Sequence, residues 1–98
     1  MKDAHHDTPL ALAEETVIWR EVDDQVIVLD RRTWNYLTMN ESGAGLWKAI
    51  AAGATRAELI EHLCQTYEVD EQTAGRDVDA FVSRMQGHKM LRPVADQG

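Results

Sequence analysis

Three short β-prone runs stand almost end to end in this chain: TVIWREV (Thr16–Val22), QVIVLD (Gln25–Asp30) and WNYLTM (Trp34–Met39). β-Branched and aromatic residues dominate each, which suits a pleated, half-buried surface. Only Asp23 and Asp24 separate the first two runs, and Arg31–Thr33 the second and third. Such connections are too short for a crossover, so the strands must lie antiparallel as a meander. A three-stranded sheet cannot bury itself, and the rest of the chain has to cover one face of it.

From Asn40 the hydrophobic period changes from two to that of a helix. Asn40 or Ser42 can cap a first helix carrying Leu46, Trp47 and Ile50, with Gly53 as its stop. TRAE is a capping box, with Thr55 as N-cap and Glu58 three residues on. The helix it opens shows the stripe Ile60, Leu63, Cys64, Tyr67. Asp70 caps a third helix whose stripe is Ala74, Val78, Phe81, Val82 and Met85, ending at Gly87. The expected fold is α+β, in the order βββααα, resembling a winged helix-turn-helix with its strands placed first. The domain is expected over 16–92, with a loose polar arm at 1–15 and a fraying tail at 93–98, Leu91 packing just before it.

The 98 residues suffice for one small core. Hydrophobic residues at 44% and charged residues at 28% are a globular balance. No apolar run is long enough to span a bilayer, the first ten residues lack a signal-peptide core, and one cysteine builds no disulfide framework. These features point to the cytoplasm. Seventeen acidic residues against ten basic ones leave a net charge of −7, a sign that repels phosphates and anionic lipid. Basic or apolar peptides are the more natural partners.

Sites of chemistry are scarce. Cys64 lies within an apolar stripe with no histidine placed near it, so a small buried hydrophobe outweighs a nucleophile and a small cysteine enzyme is a weak third idea. His5, His6, His62 and His88 lack the spacing of a metal site. SGAGLWK (Ser42–Lys48) has the wrong glycine spacing for a phosphate loop; Gly43 and Gly45 read better as letting the helix start lie tight on the third strand. Glu71, Asp77 and Asp79 read as a solvated helix face rather than an acid–base pair. A winged-helix DNA-binding regulator is the alternative from another class. The third helix, with Asp70, Glu71, Asp77 and Asp79 against Arg76 and Arg84, has the wrong sign for phosphates over its first half. No cofactor is expected.

The third strand is the more informative part. In a 1-2-3 meander it is an edge, with unpaired N–H and C=O groups, and TWNYLTM carries neither Lys nor Pro to blunt it. Leu37 and Met39 share the face assigned to the core, with Asn35 at its outer end, while Trp34, Tyr36 and Thr38 share the other. An extended peptide could add there as a fourth strand, or the rings could merely cover an open sheet face. Composition leaves both readings standing.

The run VDDQVIVLDRRTWNYLTMNESGAGLW, then TRAELIEHLCQTYEVD and DVDAFVSRM, resembles the PqqD-like family of precursor-peptide recognition elements. The family signature Y-x-x-L-N-x-x-G-x-x-x-W is met by Tyr36, Asn40, Gly43 and Trp47, with Met39 in place of the usual Leu. The resemblance runs from about Thr16 to Leu91. It implies a non-catalytic module that binds the leader of a ribosomally made precursor peptide as an extra antiparallel strand and presents it to a modifying enzyme. The strand side would be Thr33, Trp34, Asn35, Tyr36, Leu37, Thr38 and Met39; the helix side would be Asp77, Val78, Phe81 and Arg84. A free-standing chain of this size looks most like the recognition protein of lasso-peptide systems, with a leader peptidase and a cyclase as partners. A peptide chaperone serving a radical SAM enzyme in PQQ biosynthesis is the near alternative. Pairing of two copies through the free edge is a further expectation.

Overall fold

The computed structural model describes residues 9–92. Its elements are β1 (Val17–Val22), β2 (Gln25–Asp30), β3 (Asn35–Met39), α1 (Glu41–Ala51), α2 (Arg56–Tyr67) and α3 (Glu71–Gly87). The sheet order is β1-β2-β3, antiparallel throughout, as the short connections require. The βββααα order and the α+β class are those the hydrophobic periods imply.

The first hairpin closes at Val22 and Gln25, with Asp23 in the left-handed region at φ 56°, a conformation Asp tolerates. The second connection is longer than its sequence suggests. Asp30 pairs with Asn35, so the turn runs over Arg31–Trp34 and Trp34 belongs to it, at φ 61°. The Trp34 N–H donates to the Asp30 carbonyl at 2.7 Å. The Asp30 carboxylate accepts from the Arg32 backbone N–H (2.8 Å) and from its guanidinium (3.0 and 3.2 Å). These bonds, the guanidinium first, hold the Asp30 carboxyl below the usual carboxylate range. β3 therefore begins at Asn35, two residues later than the Thr33 start that the family resemblance implies.

The helices cover one face of the sheet. Val26, Val28 and Met39 meet Leu46, Trp47, Ile50, Leu59, Val78 and Met85 in a single core. Trp47 is fully buried and meets Trp19 edge-on, centroids 6.3 Å apart. Its indole N–H has no acceptor among the described residues. An unpaired donor costs about 1–3 kcal/mol, whereas burying an indole of roughly 200 Å² yields about 5 kcal/mol. Packing wins.

The caps follow the sequence signals. Thr55 and Glu58 form the reciprocal capping box, and Asp70 accepts from the Thr73 N–H at 2.9 Å. Asn40 is the N-cap of α1 but makes no side-chain bond. On α2, Leu59 and Leu63 are the buried residues, Ile60 and Cys64 are half-buried, and Tyr67 is exposed. The stripe is thus rotated toward Leu59.

The sequence marks 1–15 as an arm, yet residues 9–13 are sewn into the fold. Leu10 N–H donates to Ala54 O (2.9 Å), Ala13 N–H to Met90 O (2.9 Å), and Arg92 N–H to Ala11 O (2.8 Å). Leu10 and Leu12 are buried beside Met90 and Leu91. Two apolar residues with a backbone partner on each side outweigh the polar character of the segment. Residues 1–8, with His5 and His6, and the tail 93–98 lie outside the described part. No helix among the described residues is long and apolar enough to cross a membrane.

Candidate peptide-binding groove

The direction of the β3 backbone groups follows from the register. Arg31 N–H donates across to Thr16 O at 2.7 Å, so the odd-numbered residues of β2 aim their backbone groups at β1. The even-numbered ones, Val26, Val28 and Asp30, aim at β3, where their partners are Met39, Leu37 and Asn35. The N–H and C=O groups of Tyr36 and Thr38 therefore point away from the sheet. Among the described residues, no strand pairs with that edge.

At the Thr38–Met39 end of this edge lies a groove of about 520 Å³. Its floor is apolar: Met39 from β3, Leu46 from α1, Leu63 from α2 and Phe81 from α3. Tyr67 and Val69 form one end, while Asp77, Ala80 and Arg84 form the α3 wall. A Cβ on Gly43 would sit 3.4 Å from Met39 Cβ and 3.5 Å from Phe81 Cε1, ordinary contact distances, so α1 lies against β3 and α3 here with just room for a methyl group. Gly45 has another role than lying on the strand. Its Cα faces α2, where a Cβ would come 3.0 Å from His62 Nε2.

The residues singled out from the sequence do not all come together. Thr38, Met39, Asp77, Phe81 and Arg84 come together along the groove. Val78 does not: it is wholly buried in the core cluster and does not line the groove. Trp34 and Tyr36 lie outside the groove and are 69% and 72% exposed. Tyr36 pairs with Leu29, which pairs with Ile18, so its ring lies on the uncovered sheet face. Thr33 and Asn35 are exposed at the turn, where the Asn35 N–H donates to Thr33 Oγ1 at 3.3 Å. Leu37 is half-buried on the core face.

Sequence reasoning missed Leu46, Leu63, Tyr67, Val69 and Ala80, among others, as groove residues. Tyr67 carried the signal, since it is a large aromatic ending a stripe that is otherwise core. Cys64 is half-buried, His62 packs against α1, and His88 caps α3. The described residues hold no group of three or more His, Cys, Asp or Glu placed to bind a metal.

The sequence profile of coenzyme PQQ synthesis protein D (PqqD) matches residues 25–91, most of the chain. The chain belongs to the PqqD family. No curated protein matches it. Two solved structures resemble this PqqD-family chain over nearly all their length. One is TbiB1 in complex with the TbiA(beta) leader peptide, at 26% identity and TM-score 0.81, covering 88% of this chain and 99% of that one. The other is lasso peptide synthetase B1 complexed with the leader peptide, at 26% identity and TM-score 0.78, covering 87% and 99%.

Proposed function

We propose that this PqqD-family chain binds the leader segment of a ribosomally made precursor peptide. The leader adds as an antiparallel strand to β3 and lays an apolar side chain into the groove. The observation that carries the reading is the open backbone edge of Tyr36 and Thr38, which meets an apolar trough at Thr38. The two structural relatives, both solved with leader peptides, support it. The chain catalyses nothing itself. It hands its guest to separate enzymes, a leader peptidase and a cyclase of a lasso-peptide pathway. The same edge could pair two copies, and guest and copy would then compete for it.

Strand addition supplies backbone bonds that any extended segment can make, and the groove supplies selection. Ordering a disordered leader costs about 2–5 kcal/mol. A strand of bonds and two or three apolar anchors offset that, giving a dissociation constant of about micromolar or tighter.

The test uses proline at two neighbouring positions. Thr38→Pro removes an outward N–H and leaves the sheet intact; Leu37→Pro removes a ladder bond to Val28 and disrupts the fold. Calorimetry with leaders of short precursors encoded near this chain should show binding lost in Thr38→Pro, with an unchanged circular dichroism spectrum. Full binding by a folded Thr38→Pro variant would sink strand addition.

A further inference from the structure

We propose that the groove reads the order of charges along its guest: a basic side chain first, then an acidic one four residues later, on either side of the apolar anchor. The inference rests on strand addition at β3 and specifies the substrate class.

Asp77 and Arg84 are the two charged residues lining the groove. They flank Phe81 on α3, and neither meets an opposite charge among the described residues. Of the other charged groups of this helix, Asp79 is bonded to Arg56 at 2.7 Å and Asp70 to the Thr73 N–H, while Glu71 and Arg76 do not line the groove. The net charge of −7 is therefore a poor guide to what the groove prefers, because the groove itself holds one charge of each sign.

The direction of α3 sets the order. Arg32, just before β3, donates to the His88 carbonyl at the end of α3 (3.4 Å). Gly43, just after β3, abuts Phe81. The helix thus runs antiparallel to β3. A guest antiparallel to β3 runs parallel to the helix, passing Asp77 first and Arg84 later. Seven helical residues span about 10 Å, the reach of roughly three strand residues. Side chains on one strand face recur every second residue, so with the anchor between them the matching charges stand four positions apart, a span long side chains bridge. A guest bound in the parallel sense would show the reverse order.

The experiment is a selection of displayed random dodecapeptides on the full chain and, separately, on the double variant Asp77→Lys/Arg84→Glu. Both residues are exposed, so the variant keeps the fold. Binders from the native chain should carry Lys or Arg before the anchor and Asp or Glu after it; those from the variant should carry the opposite order. Synthetic binders with the two charges exchanged should lose about two- to fivefold per contact, less at high salt. Binders that Thr38→Pro abolishes but that show no charge order, or the same order on both proteins, overturn this proposal and leave strand addition standing. Failure to select any binder, or binders indifferent to Thr38→Pro, overturns strand addition and the charge order with it.

Discussion

Trp34 sits in a left-handed conformation at φ 61° with 69% of its surface exposed. A residue with a Cβ pays about 1–2 kcal/mol there, which glycine avoids at the cost of extra chain entropy. Little burial offsets the strain, so Trp34→Gly should stabilise the fold by roughly 0.5–1 kcal/mol, read as a higher urea midpoint. The ring would be retained for what it touches on a partner, and the same variant should weaken leader binding. A drop in stability would mean that the indole packs to more effect than its exposure suggests. The turn was legible at Arg31–Thr33, but its extension to Trp34 was not, because Trp is β-prone and the position carries no Gly or Asn. Val78 was misread for a related reason. Asp77, Val78 and Phe81 lie within about one turn, and periodicity alone does not separate a groove wall from the core beneath it.

At the level of elements, local signals were legible and distant ones were not. Each helix start was marked by residues within four positions of it, as Thr55 with Glu58 and Asp70 with Thr73 illustrate. Thr55→Ala should cost about 1 kcal/mol in chemical denaturation, since it leaves the Glu58 N–H without its acceptor. Residues 9–13 give no such cue, because their partners are Ala54, Met90 and Arg92, far along the chain. Leu12→Ala should therefore cost about 2–4 kcal/mol, as a core leucine does. A loose arm would lose almost nothing, and the same denaturation curve distinguishes the two. The edge of β3 was legible from turn length alone. Which of its N–H groups face outward needed the Arg31–Thr16 bond to set the register.

Across the whole molecule, three carboxylates hold a turn, a helix start and a helix pair. Asp30 holds the β2–β3 turn through Arg32, Asp70 caps α3 at Thr73, and Asp79 joins α3 to α2 through Arg56. In each case the hydrogen bond from that partner is the main reason the carboxyl lies below its usual range. A carboxyl whose folded pKa is depressed contributes stability above its unfolded value of about 4. That contribution is lost as pH falls through the folded value. The net charge of −7 acts in the other sense, since protonation relieves repulsion. Those surface charges are screened beyond about 8 Å at physiological salt, whereas the three bonded pairs are in contact. The bonded pairs should therefore decide the outcome. Urea midpoints should stay level from pH 7 to about 5 and fall below pH 4. The triple variant Asp30→Asn/Asp70→Asn/Asp79→Asn should start lower at pH 7, and the gap from the native chain should close as the acid limb is descended. Two curves falling in parallel would show that acid lability resides in other carboxylates, and that these three joints are not what holds sheet, turn and helices in register around the groove.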